Sequence, residues 1–300
     1  MRKILITGGT IFVSKYVAEY YVKNGDEVYV LNRNHHEQPE GIILIEADRK
    51  HLGDVLKAYS FDVILDVTAY TKEDITCLLD GLGEFKEYVL ISSSAVYPET
   101  LPQPFIEEQP LGKNKNWGAY GTNKIEAESE LLSRVPHAYI LRPPYLYGEM
   151  NNVYREAFVF ECALKNRKFY VPQKGEMKLH FFHVNDLCKV IDALLDKKPE
   201  QNIYNVGNNE MVSIAQWVKL CYKVAGKEPE LVYIDNEMDQ RTYFCFYDYE
   251  YQLDVSKQLQ LIPTTMALEN GLKHAFEWYK KHADELNRKD YIEFIDNHLV

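Results

Sequence analysis

No stretch comes near the roughly eighteen consecutive apolar residues that a membrane-spanning helix needs, so no span is expected. Cysteine is scarce. The five residues, Cys77, Cys162, Cys188, Cys221 and Cys245, are odd in number and show no paired spacing. They offer no disulfide framework, argue against structural zinc and suit a reducing, cytoplasmic setting. Positive charge is in deficit, with 34 Lys and Arg against 45 Asp and Glu and a formal charge of −11. Polyanion binding is driven by phosphate neutralisation, so this balance disfavours nucleic acid. The short basic runs GKNKNW (112–117) and LKNRK (164–168) read as solvated faces. Internal repeats and low-complexity tracts are absent. The opening MRKILITGG carries two cations and an apolar run that stops at Thr7, too short for a signal peptide and suited to a first strand.

What is present describes an ordinary globular enzyme-sized chain: 300 residues, 46% apolar and 26% charged. KILIT (3–7) is a strand, and the turn and helix after it close at Gly25. Residues 28–31 give a second strand, completing a βαβ unit with a right-handed crossover. Strands at 42–48 and 61–70, the latter with its exit loop, alternate with helices near 50–59 and 72–84. A fifth strand, Tyr88 to Ile91, is apolar without helical period and ends in Ser92, Ser93 and Ser94. The helix after Gly118 has an apolar stripe of Ile125, Ala127, Leu131 and Leu132, with Glu126, Glu128 and Glu130 expected in water. A sixth strand at 138–148 is ended by Pro143 and Pro144. This alternation specifies an α/β fold with a doubly wound parallel sheet. After Gly148 the pattern loosens into a smaller mixed α/β lobe. It includes a helix at 185–197 capped by Asn185, a strand at 202–209 and an amphipathic helix from Ser213 to Gly226.

Chemistry-bearing residues gather where strands end. Tyr120 and Lys124 are four apart on a helix and share a face. A phenol beside an ammonium gives up its proton more readily than in water. An exposed helical pair would look the same, and Tyr170/Lys174 repeats the spacing, but that second pair spans Pro172 and is not helical. TGGTIFVS (7–14) lies between the first strand and helix, where backbone amides and a helix N-terminus can face a pyrophosphate. The three small residues such a loop wants fall at Gly8, Ile11 and Ser14, so one of them is β-branched. An ordinary strand–helix turn in a fold without a cofactor remains the alternative. Asn32 ends the second strand where an acid would bind an adenosine ribose and repel a 2′-phosphate. With Arg33 beside it, NADP is as plausible as NAD. Asp48 is placed to accept from an adenine amino group.

With these in hand, the chain resembles extended short-chain dehydrogenase/reductases of the nucleotide-sugar epimerase/dehydratase group. The resemblance runs almost end to end: TGGTIFVS, EADRK (46–50), SSSAVY (92–97), YGTNK (120–124), LRPPYLYG (141–148), HFFHVNDL (180–187), YNVGN (204–208) and ALENGLKHAFEWY (267–279). It implies a Rossmann domain of residues 1–160 with about 184–207, and a substrate lobe of about 161–183 with 208–300. It implies Tyr120 as acid/base, Lys124 on the nicotinamide ribose, and Ser93, with Ser94 the near alternative, orienting the substrate. The cofactor, NAD or NADP, would lie along Gly8, Thr10, Ile11, Phe12, Val13, Asn32, Arg33, Asp48, Arg49, Val67, Thr68, Ala69, Lys124, Pro143 and Tyr145. A nucleotide sugar would meet Ser94, Tyr145 and Arg241. The activity implied is epimerase or oxidoreductase by hydride transfer. Dehydratase is disfavoured, because Ser94 and Ala95 stand where the family's dehydratases carry acids. A homodimer through two helices of the sheet domain is also implied. A narrower similarity, GGT-x-FV with DRK, is to the chloroplast stem-loop-binding branch, and implies a catalytically weak or inactive RNA-binding protein as the alternative. No metal is expected: His180 and His183 point to opposite faces of an extended segment, and His183 reads as a packed structural residue.

Overall fold

The computed structural model describes residues 1–235 and 238–300. Seven parallel strands form the central sheet. They are β1 (Lys3–Thr7), β2 (Glu27–Asn32), β3 (Ile43–Glu46), β4 (Ser60–Asp66), β5 (Glu84–Ile91), β6 (Tyr139–Arg142) and an edge strand Ile203–Asn205. Their spatial order is Ile203–Asn205, β6, β5, β4, β1, β2, β3. β1 pairs on one side with β2 (Ile6 opposite Val30) and on the other with β4 (Ile6 opposite Leu65). The order reverses there, opening a crevice at the carboxyl ends of the strands.

The apolar runs are continuous because both faces are covered. Along β1, Ile4 and Ile6 join the core shared with α1 (Phe12–Lys23) and α5 (Val184–Lys197). Leu5, one residue out of phase, joins the opposite core with α2 (Lys72–Gly81) and α3 (Ala119–Arg134). The third core is aromatic and joins the C-terminal lobe to Val96, Tyr97 and Phe105. There α4 (Glu156–Leu164) is apolar nearly all round and buried among α6 (Ile214–Val224), the helix Leu268–His282 and the C-terminal helix Tyr291–His298. The lobe has only short strand pairs, such as Phe169–Pro172 with Leu231–Ile234.

Three expectations need correction. Residues 50–59 are not an α-helix: a 3-10 turn, Arg49–His51, is followed by i→i+3 turns. Gly53, at φ +53°, breaks the helical path, and the Asp48 side chain accepts the Lys50 N–H at 2.9 Å. Helix α5 is capped by His183 rather than Asn185, since His183 Nδ1 accepts the Asn185 N–H at 3.1 Å. Glu128 is buried, not in water, because Arg142 on β6 reaches it. Ser213 does cap α6, in a reciprocal box with Gln216. Among the described residues all five cysteines are free and no helix is long and apolar enough to cross a membrane.

Candidate active site

The turn after β1 is built by steric necessity. Gly8 and Gly9 have φ of +91° and +87°, and a Cβ on Gly8 would stand 2.8 Å from Thr68 Cγ2. One on Gly9 would stand 2.5 Å from Val30 Cγ1. Helix α1 then begins at Phe12 with no side chain capping its first amides. Ser14 is small enough to pack under the turn and donates to the Ile11 carbonyl at 2.9 Å. Ile11 does not plug the crevice: it is 44% exposed and lines one edge of a cavity of about 650 Å³.

Beneath the turn, the Thr7 hydroxyl donates to Asp66 at 2.7 Å and accepts the Val67 and Thr68 N–H groups at 3.0 and 3.1 Å. Asp66 also receives Tyr88 at 2.6 Å and the Arg49 guanidinium at 2.5 Å. Burial alone would raise the Asp66 carboxyl, but Arg49 and these hydrogen bonds outweigh it and hold it below the usual range. The loop that lines the cavity at Val67 and Thr68 is thereby fixed.

Opposite lies the hydroxyl cluster. Gly121, the second residue of YGTNK, packs so tightly on the turn Ser94–Val96 that any side chain would overlap the Ala95 carbonyl. This close approach brings Tyr120 near Ser93, whose hydroxyl favours the ionised phenol. Burial of the phenol hydroxyl raises the Tyr120 pKa above its ordinary 10, and Ser93 only partly offsets it. The ring itself is 41% exposed, toward the cavity it lines. The Lys124 ammonium donates to the Ala69 and Ile91 carbonyls at 2.7 and 2.8 Å. Burial drags it down to about 8, with Asp66 and Glu128 limiting the fall. The phenol is thus held above its ordinary value, not below it as the spacing suggested.

A buried network holds α3 to the sheet. Arg142 grips Glu128 with Nε at 3.0 Å and Nη2 at 2.6 Å, and donates to Tyr97 at 2.8 Å. Ser92 donates to the same carboxylate. The far wall of the cavity combines Trp117, Tyr145 and Arg155 with Arg241, Phe246, Tyr247 and Tyr251 of the C-terminal lobe. Ser94 faces this wall, 3.2 Å from the Tyr251 hydroxyl. Among the described residues no Asp or Glu lines the cavity.

A profile of the NAD dependent epimerase/dehydratase family matches residues 4–207. The chain belongs to that family. It is 29% identical over 280 residues to the chloroplast stem-loop binding protein of 41 kDa b of Arabidopsis thaliana, across 85% of this chain and 73% of that one. It is 25% identical over 216 residues to the probable GDP-L-fucose synthase 1 of Oryza sativa subsp. japonica, across 66% and 63%. The solved structure of dTDP-glucose 4,6-dehydratase from Bacillus anthracis in complex with NAD has a TM-score of 0.75 at 19% identity, covering 95% of this chain and 99% of that one. UDP-glucose 4-epimerase of Thermotoga maritima with UDP-glucose also gives 0.75 at 19% identity, covering 94% and 99%. At that identity the two structures establish the shared fold.

Of the residues singled out in the sequence, Gly8, Thr10, Ile11, Phe12, Val13, Val67, Thr68, Ser93, Ser94, Tyr120, Lys124, Pro143, Tyr145 and Arg241 come together around the one cavity. Ala69 does not line it, but supplies a carbonyl to Lys124. Asn32, Arg33, Asp48 and Arg49 stand outside it. Asn32 is fully engaged: its amide donates to the Gly8 carbonyl at 2.7 Å and to Gln38 at 3.0 Å, and its oxygen accepts from Asn34 and Gln38. Arg49 turns onto Asp66, Asp48 caps the 3-10 turn, and Arg33 is exposed at the end of β2. Sequence reasoning missed Tyr70, Trp117, Arg155, Tyr247 and Tyr251. The tyrosines carried no signal in a chain with 23 of them.

One histidine cluster lies apart. Glu149 stands 3.3 Å from both His183 Nε2 and His274 Nδ1, a spacing a cation could bridge. Yet His183 Nδ1 accepts the Asn185 N–H, so the neutral ring carries its proton on Nε2. That nitrogen is then a donor rather than a metal ligand, and it lies 3.3 Å from Glu149 without a hydrogen bond.

Proposed function

We propose that this chain is an NAD(P)-dependent epimerase or oxidoreductase acting on a nucleotide sugar, with Tyr120 as acid/base. One observation carries the reading. Ser93, Tyr120 and Lys124 line the same cavity as the glycine turn and the two arginines, so phosphate-binding and proton-handling groups share one space. The Gly8–Gly9 cradle that a Cβ would fill, with the uncapped start of α1, fits a pyrophosphate. Gly8 through Val13, Val67, Thr68 and Lys124 would hold the dinucleotide, whose nicotinamide, when bound, supplies the redox chemistry. Ser93 would orient the reacting sugar hydroxyl while the Tyr120 oxygen exchanges a proton with it. Arg155 and Arg241 suit the anionic part of the substrate. Among the described residues no carboxylate lines the cavity, which favours these reactions over an elimination. The uncharged Asn32 leaves NADP as acceptable as NAD.

The test is turnover of UDP-, dTDP- and GDP-sugars with NAD or NADP, followed by chromatography. Tyr120→Phe should lower the rate by about 10²- to 10⁴-fold without moving the melting curve. An unchanged rate would remove the mechanism.

A second reading, an RNA-directed binding protein on the same scaffold, draws on the stem-loop-binding relative and on the raised Tyr120 phenol. It requires salt-sensitive retention of structured RNA. No retention at low ionic strength rejects it.

A further inference from the structure

The exit loop of β4 places Tyr70 directly against the Lys124 ammonium. Lysine has three N–H donors, and two are spent on the Ala69 and Ile91 carbonyls. The remaining face of the ammonium lies over the Tyr70 ring, 5.0 Å from its centroid, within cation–π range. Exposure orders the three groups: Lys124 is 2% exposed, while Tyr70 is 50% exposed and Tyr120, whose ring is 6.3 Å from that of Tyr70, is 41% exposed. The tyrosine ring therefore caps the ammonium on the side of the cavity that both residues line.

The Tyr70 side chain is anchored through its ring alone. Its backbone is pinned, since its N–H donates to Asp74 at 2.9 Å and the next residue, Thr71, caps α2 in a reciprocal box with Asp74. Its hydroxyl has no hydrogen-bond partner among the described residues. Rotation about χ1 thus breaks no hydrogen bond and gives up the contact with the ammonium and the tilted ring pair with Tyr120.

We propose that the Tyr70 ring is a gate on Lys124, covering the ammonium and swinging aside before that ammonium can hold a ribose hydroxyl. The gate rests on the dinucleotide reading given above. It makes the binding-competent state a minority, so apparent cofactor affinity is reduced by the fraction of molecules that are open. A residue without a π face at this position should remove that reduction, and phenylalanine should preserve it.

The experiment compares wild type, Tyr70→Phe and Tyr70→Leu in two measurements. The first is NAD affinity by calorimetry. The second is the rate at which limiting acetic anhydride acylates Lys124, read by peptide mass spectrometry against the other lysines. Tyr70→Phe should match wild type in both. Tyr70→Leu should bind NAD about 3- to 10-fold more tightly and acylate Lys124 faster by a similar factor, other lysines being unchanged. Circular dichroism confirms that the variants are folded. Lys124 reacting no faster in Tyr70→Leu than in wild type overturns the gate, as does weaker NAD binding by that variant. If none of the three proteins binds NAD but acylation follows the expected pattern, the gate stands and the dinucleotide reading falls.

Discussion

Glu128 and Arg142 meet fork to fork with both side chains buried, at 3.0 and 2.6 Å. The pair joins α3 to β6 directly behind the cavity. Removing one partner strands the other charge out of water, which costs more than the intact pair contributes. Glu128→Leu should lower unfolding free energy by about 3–5 kcal/mol, and Glu128→Leu with Arg142→Met should cost less than the single change. Urea midpoints with unchanged slopes would show this. A double variant weaker than the single one would contradict it.

Gly121 sets how near Tyr120 comes to Ser93. In Gly121→Ala the new methyl meets the Ala95 main chain, which cannot turn away as a side chain can. Helix α3 should lift, at a cost of about 1–3 kcal/mol in stability. The proposed turnover should drop by about 100-fold, because catalysis tolerates little misplacement. NAD affinity, carried largely by the glycine turn, should change far less. A variant with full turnover would show that the close packing is incidental.

Lys124 gives a pH signature with a definite sign. Burial lowers it from its ordinary 10.5 to about 8, so between these values the unfolded chain binds more protons than the folded one. Stability from this group therefore rises with pH across that window. In Lys124→Met the contribution is absent. Wild type should gain on the variant between pH 8 and pH 10.5, as measured by paired urea titrations, with no relative change below about pH 7. A relative loss over the window would show that the lysine is not desolvated.

How far the sequence revealed this protein depended on where each signal comes from. Parallel strands buried on both faces leave unbroken apolar runs, so β1, β4 and β5 were legible, as was the glycine turn between β1 and α1. Leu52 and Leu56 are four apart, as on a helix, yet Gly53 and the Asp48 cap divert that segment into turns. Glu128 looked like one of three wet glutamates, because its partner comes from a strand that follows the helix. Tyr120 could be paired with Ser93, or with Ser94, only through the family resemblance. The local environment could not: the tyrosine over Lys124 and the buried carbonyls that hold it exist only after folding. Arg155 stands just before α4, and nothing near it in the sequence marks it as part of a cavity wall.

The cavity's lining carries a further consequence. Its ionisable walls include Lys124, Arg155 and Arg241 and, among the described residues, no acid, yet the whole chain bears a formal charge of −11. An anionic nucleotide approaching from solution is repelled at a distance and drawn in only over the last few ångströms. Added electrolyte hides the outer repulsion first, since the screening length at 0.15 M is about 8 Å. Stopped-flow mixing with a nucleoside diphosphate should therefore show a capture rate that climbs between about 10 and 150 mM salt, the reverse of ordinary electrostatic steering. A rate that falls over that range would mean that the mouth of the cleft, rather than the body of the protein, governs the encounter.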